Sequence, residues 1–454
     1  MRASDGGSMG RCEMTFVDAQ IDRIVGPTHH FGGLGVGNVA SQNHAGQISN
    51  PRAAALQGLD KMRLVAGLGV PQLILPPQPR PDFTLLKALG FSGTPAEMLK
   101  SALSEDPVIL SAAASCSAMW TANAATVTPS CDTNAGCPVM TVANLSASLH
   151  RSLESTHTLK DIASLFPNGF DVRPALPGGA PMRDEGAANH MRLSGSDGKS
   201  GLNVFVYGDG PPEPQCHWPR QTKAAGQAIA RSHGLQESDV FHFKQHPKAI
   251  DAGAFHNDVV AMSHQDLLIH HELAFAPDSC QEIERLKRRF ENVIQKPLRI
   301  LSISSNELKL DDAIKTYFFN SQIVTASQSG KMKWTILCPV QVQQNRVTHE
   351  LVNRLCAEQV FHAVHFVDLG QSMDGGGGPA CLRLRLPLSE QEIGHLDTSA
   401  LWTESRDSDL RAIINDRYPI ELKITDLADI EICQRALETQ EVIARCLRQD
   451  SGST

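Results

Sequence analysis

The chain has 454 residues, 41% of them hydrophobic, and a formal net charge of −8 with both signs interspersed. That length suits one large α/β unit, or about two or three domains, with no shortage of core-forming residues. The lack of a basic block and an aromatic content of only 5% argue against a nucleic-acid partner, and no basic amphipathic stretch points to a membrane surface.

Residues 1–15 are small and polar, without the apolar centre of a signal peptide, and read as a disordered extension. No run is long and apolar enough to span a bilayer. Eleven cysteines are scattered with no Cys-x-x-Cys pair, so a disulfide framework and a zinc site are both disfavoured and a reducing cytoplasm is the expected setting.

Residues 26–41 (GPTHHFGGLGVGNVAS) hold five glycines and two histidines without periodicity. They read as a loop too long and glycine-rich to be a mere connector, and they lack the pattern of a phosphate cradle. Asn50-Pro51 then caps a helix whose face carries Leu56, Leu59, Met62 and Val65 and which stops at Gly67. A short strand is expected over residues 72–75. A Thr94…Glu97 capping box opens a second helix running to about Leu103.

Further strands are expected at 139–144, 202–207, 240–243, 259–262, 267–270, 298–303, 334–338 and 360–367. Helices are expected at 281–293, 343–358 and 389–396, the last with a Ser389…Glu392 capping box. Strands with helices between them indicate an α/β fold. No internal repeat stands out, and the breaker-rich residues 208–214 (GDGPPEP) read as a mobile surface loop. Near the C-terminal end, four glycines at 375–378 lead through Pro379 into alternation at Leu382, Leu384 and Leu386, the mark of a strand with one face in a core.

Cys381 sits at that seam. A thiol between a pliable loop and a rigid strand suits a nucleophile, and equally suits a small buried residue. His256 and Asp258 precede a predicted strand, which would put imidazole and carboxylate on one side as an acid/base pair; a solvated histidine beside an aspartate turn fits the same letters. Asp184, Glu185, Asn189 and His190 form a polar cluster that reads as a loop unless a ligand draws it together. Asn123 is an amide among small apolar residues, and His150, Arg151 and Arg220 are cations that become an anion clamp only if the fold converges them. His242 with His246, and His270-His271-Glu272, lack the pattern of a metal site.

Taken in order, the segments THHFGGLGVGNVAS, SNPRAAALQGLDKM, MWTANAATVTPS, LHRSLE, DEGAANHMRL, FVYG, PRQT, FHNDVVAMS, FNSQ and GGGPACLRLRL closely resemble the N-succinylarginine dihydrolase family. The resemblance spans the chain apart from its two ends. It implies a fold in the guanidine-modifying superfamily, a five-bladed pseudo-symmetric α/β propeller, as one catalytic domain over residues 16–449 with a flexible tail at 450–454. It implies a homodimer, no metal and no organic cofactor, and conversion of N-succinylarginine and two waters to N-succinylornithine, two ammonia and carbon dioxide. A deiminase releasing one ammonia, and a non-catalytic guanidine-binding protein, are the alternatives on the same scaffold.

By motif, the resemblance implies Cys381 as nucleophile with His256 and Glu185 as catalytic partners. It implies substrate contacts from Gly32, Gly33, Leu34, Gly35, Val36, Gly37, Asn38, Val39, Ala40 and Ser41, and from Asn123, His150, Arg151, Arg220 and Asp258. Gly375 stands where the family pattern has asparagine, so one side-chain contact is missing unless Asp374 or a water supplies it. The chemistry accounts for the residue types. A guanidinium carbon is a poor electrophile, so carboxylates must hold its N–H groups, here expected of Glu185 and Asp258, while a thiolate attacks and a histidine shuttles protons.

Overall fold

The computed structural model describes residues 16–328 and 331–448; the expected disordered start (1–15) and flexible tail (450–454) lie outside them. Within that span the strands are β1 (Phe16–Arg23), β2 (Gln72–Leu75), β3 (Ala125–Thr128), β4 (Val139–Val142), β5 (Asp171–Arg173), β6 (His190–Ser194), β7 (Gly201–Tyr207) and β8 (Val240–Lys244). They continue with β9 (Ala261–His264), β10 (Leu267–His271), β11 (Arg299–Ile303), β12 (Gln322–Gln328), β13 (Lys331–Pro339), β14 (Ala363–Val367) and β15 (Leu384–Ser389).

These strands form five three-stranded sheets, ordered β15-β1-β2, β3-β4-β5, β6-β7-β8, β9-β10-β11 and β12-β13-β14. Each repeats one plan. The first strand runs antiparallel to the middle one, and the middle strand runs parallel to the last across a helical crossover. Parallel neighbours need such a crossover, and Pro51–Gly67, Lys223–Ser232, Cys280–Ile294 and Arg346–Ala357 are four of them. A structural repeat is therefore present although no sequence repeat is visible. One sheet joins the two halves of the chain: β15 pairs along β1 from Ile21↔Leu384 to Phe16↔Ser389.

Local sequence accounts for most element ends. Asn50 caps the first long helix through Ala53 N–H at 2.9 Å, with Pro51 in its first turn. Both predicted capping boxes form, at Thr94/Glu97 and Ser389/Glu392. Leu384, Leu386 and Leu388 are fully buried and pack with Ala19, Ile21 and Leu73, so the alternation faces a core from Leu384 on; Leu382 precedes the strand and is buried in a separate cluster with Met373 and Leu369.

Several expectations need correction: the helix at 389–396 spans only Glu390–Ile393, and the strand at 360–367 begins at Ala363. The strand at 259–262 starts two residues later, because residues Asn257–Val259 form a 3-10 turn. The helix at 343–358 is broken by Asn345, whose side chain caps a new helix from Arg346. The glycine run is not a free loop throughout, since Gly370–Gly375 is helical and only Gly376, with φ of 111°, turns the chain out of it. Cys381 is not the first strand residue; it lies in the turn before β15.

A candidate active site around Cys381

A single cavity is walled by Gly32, Gly33, Leu34, Gly35, Asn38, Ser41, Asn123, His150, Arg151, Arg220, His256, Gly375 and Cys381. The predicted residues thus come together from segments spread over most of the chain. Trp120, Ser115, Phe255, His30, Phe31 and Gly376 complete the wall.

Cys381 is 2% exposed. Its thiol donates to Asp258 Oδ2 at 3.5 Å, and the Asn320 amide donates to its sulfur at 3.2 Å. Burial, reinforced by the Asp258 carboxylate, pushes the thiol well above its usual pKa. On the same cavity, His256 Nε2 donates to Glu185 Oε2 at 2.9 Å, leaving Nδ1 without a protein partner. A carboxylate can only accept, so the neutral imidazole carries its proton on Nε2 and offers Nδ1 as the base. Burial holds the imidazole down to about 4, against the pull of Glu185 and with the help of Arg220 and Arg151.

Glu185 is wholly buried behind His256, and Arg151 Nη1 bonds the same carboxylate oxygen. Burial alone would raise its pKa, but the charge of Arg151 and the His256 hydrogen bond win and lower it to about 2. Its backbone is fixed on both sides: its N–H donates to Gln221 Oε1 at 2.7 Å and its carbonyl accepts from Asn123 Nδ2 at 2.9 Å. Asp184 next to it is buried and raised to about 6 by that burial, bonding Gly186 N–H and Gln221 rather than the cavity.

The glycines serve close approach. A side chain at Gly376 would overlap Asn38, whose Nδ2 donates to the Gly376 carbonyl at 2.9 Å while its Oδ1 caps Ser41 N–H at 3.1 Å. The 32–41 loop is thereby clipped to the turn that carries the thiol. At Gly375 an added Cβ would lie 3.1 Å from the Trp120 ring, so any side chain there requires the indole to give by a few tenths of an ångström.

Several expected contacts differ. Val36, Gly37, Val39 and Ala40 do not line the cavity: Val36 is 49% exposed, Gly37 abuts His217, Val39 abuts Gly253, and Ala40 packs into the core. Asp258 lines the neighbouring cavity with Asn257 and Ala380. Its 3-10 turn replaces the expected strand alternation, so His256 meets Glu185 while Asp258 meets Cys381. Burial raises Asp258 to about 7. Glu185 faces His256 and Arg151 rather than the cavity. Arg220 gives Nη2 to the Val36 carbonyl and lies 4.7 Å over the Phe255 ring. Asp374 turns to His44 at 3.3 Å, so it does not replace the side chain missing at Gly375.

Asn320, Trp120 and Phe255 carry no role in the sequence reading. Asn320 lies inside the FNSQ segment, where a buried amide within a family motif was the available signal.

The family model for succinylarginine dihydrolase matches residues 15–451. The N-succinylarginine dihydrolase of Shewanella denitrificans is 39% identical over 446 residues, covering 96% of this chain and 99% of the relative. That of Shewanella loihica is 42% identical over 427 residues, covering 92% and 94%. Among solved structures, the N-terminal domain of ArgZ bound to product, an arginine dihydrolase from the ornithine–ammonia cycle in cyanobacteria, aligns with a TM-score of 0.50 at 17% identity. It covers 81% of this chain and 97% of that one, and at such identity it speaks to the fold alone.

Proposed function

This chain belongs to the succinylarginine dihydrolase family, and from that premise we propose that its cavity binds N-succinylarginine and hydrolyses the guanidinium twice. The products are N-succinylornithine, two ammonia and carbon dioxide, in arginine catabolism. The observation that carries this is the meeting of Cys381 and His256 on one cavity that Arg151, Arg220 and His150 also line.

The Cys381 sulfur attacks the guanidinium carbon, and the thiol proton ends on His256 Nδ1. The imidazolium so formed is favoured by the Glu185 carboxylate on Nε2. A C–N bond then breaks, and the departing nitrogen leaves as ammonia with the His256 proton. The carbon remains on sulfur as a thiouronium. Water adds to that carbon and gives its proton to His256. The C–S bond breaks, the thiol recovers its proton from His256, the remaining proton of the new hydroxyl passes to solvent, and a neutral ureido group is left for the second round.

Each group has one task. Glu185 holds the imidazole in the tautomer that presents Nδ1, and Asp258 at the sulfur attracts the cationic carbon. Arg151, whose Nε has no protein partner, and Arg220 suit the substrate's carboxylates as planar forks. The repeated sheet plan, and the lining of one interior cavity by residues of β3, β6, β9, β12 and β15, support a five-bladed propeller closed by the β1–β15 pair, with residues 16–449 as one catalytic unit.

Ammonia stoichiometry tests the activity. Two ammonia per N-succinylarginine, with free arginine turned over poorly, is the expected result; one ammonia with a stable ureido product would make the protein a deiminase.

A further inference from the structure

Asn320 ends the tight turn Phe318–Asn320 and is fully buried between the Cys381 turn and Asp258. Its backbone carbonyl accepts from Ala380 N–H at 2.9 Å, and its side-chain Oδ1 accepts from Cys381 N–H at 3.2 Å. A backbone N–H can only donate, so this bond dictates which way the amide faces. The NH2 group is left pointing at the Cys381 sulfur, 3.2 Å away, and at the Asp258 carbonyl, 3.3 Å away. Both amide hydrogens therefore have acceptors.

The rest of the sulfur's surroundings make this contact consequential. Its other side-chain partner is the Asp258 carboxylate, which repels a thiolate. Among the described residues no lysine, arginine or histidine lies within hydrogen-bonding distance of the sulfur, and Asn320 is its only side-chain donor. The fourth glycine of the run belongs to the same arrangement: a Cβ at Gly378 would stand 2.8 Å from Asn320 Oδ1 and 3.3 Å from Tyr317 Cβ. Gly378 makes room for the amide.

We propose that Asn320 is a catalytic residue that stabilises the Cys381 thiolate through its side-chain N–H, with Gly378 leaving the space that seats it. The role rests on Cys381 being the nucleophile. A donor aimed at sulfur strengthens as negative charge collects there. An asparagine that only anchored the turn would be served by its oxygen on Cys381 N–H and one amide hydrogen on the Asp258 carbonyl; the second hydrogen, on sulfur, is the one an anchor does not require.

Three variants separate these cases. Asn320→Asp keeps the oxygen that receives Cys381 N–H and loses the donor; Asn320→Ala loses both; Gly378→Ala leaves the amide and crowds it. The readout is the pH dependence of iodoacetamide alkylation at Cys381, followed by peptide mass, with kcat and KM beside it. The midpoint is expected to rise by about one unit or more in Asn320→Asp and Asn320→Ala, and by less in Gly378→Ala. In Asn320→Ala kcat is expected to fall about 10²–10³-fold with KM nearly unchanged. An unmoved midpoint in folded Asn320→Asp or Gly378→Ala overturns the role and leaves Asn320 an anchor. Wild-type enzyme that stays active while Cys381 remains unlabelled would instead remove the nucleophile assignment itself.

Discussion

Cys381 and Cys338 are both buried thiols, 2% and 0% exposed, served by one short stretch of chain. Asn320 touches the first and the next residue, Ser321, lies beside the second. Cys338 sits within β13 among Phe318, Phe319, Val342 and Leu355, and that burial pushes its thiol up to about 12. Cys381 is also pushed up by burial, but it adjoins a carboxylate and an amide and opens onto a cavity that an imidazole base also lines. Burial does not separate a packing thiol from a reactive one. The polar groups around it do.

The largest expected effect breaks the pair apart. Cys381→Ser should reduce turnover by about 10⁴-fold or more while N-succinylarginine still binds by calorimetry. Cys338→Ala should keep kcat within about twofold and cost about 1 kcal/mol of stability in urea unfolding. Equal losses of turnover in both would erase the distinction.

Next comes the base. Glu185→Gln should lower kcat by about 10²–10⁴-fold, since Gln can present its NH2 and favour the wrong imidazole tautomer. Combined with His256→Asn it should add little beyond the single histidine change, because the two act as a unit. Steady-state kinetics on the three proteins settles this, and additive losses would mean that Glu185 acts elsewhere.

A smaller effect is visible in stability against pH. Burial raises Asp258 to about 7 from an unfolded value near 3.8, so the folded state holds the extra proton between those values. The associated stability is present below the unfolded value and lost as pH rises through about 7. Asp258→Asn should therefore gain about 1–2 kcal/mol over wild type at pH 8 relative to pH 4. His256, held down to about 4, has the opposite sign: its contribution is present above 6.5 and lost as pH falls toward 4. Among the described residues no carboxylate is buried around Cys338, so the cost of Cys338→Ala should not vary between the two pH values in the same unfolding series.

The smallest change is at Gly375. Gly375→Asn should lower KM a few-fold with kcat nearly constant, about one hydrogen bond's worth, as Trp120 yields slightly. A raised KM would mean that the tight contact with the indole outweighs the new bond.

The helix caps at Asn50, Thr94 and Ser389 and most middle and outer strands are legible in the sequence, because their signals are local; the caps at Thr222, Asn345 and Thr403 are not. Nor are the first strands of the sheets. β3 (ATVT), β6 (HMRLS) and β12 (QIVTASQ) carry no pattern that predicts a strand, and β9 begins two residues after the expected start. In β6 the residues lining the interior cavity include His190 and Arg192, so apolar alternation fails there, whereas β3 and β12 put only Val127 and Ile323 on that cavity and are too short or too polar elsewhere for the pattern to show. β15 is the exception, since its leucines face the core while Arg385 and Pro387 face the cavity.

What the sequence determined by itself was the set of reacting groups and their order: a thiol after a glycine run, an imidazole, a carboxylate, and cations scattered between. Only the tertiary structure decided that Glu185 stands behind the imidazole, that Asp258 and not His256 touches the sulfur in the free protein, and that Asn320 is the donor. Those relations join residues dozens to more than a hundred positions apart. No short-range pattern encodes them, because they follow from which strands and turns pack against one another once the core is buried.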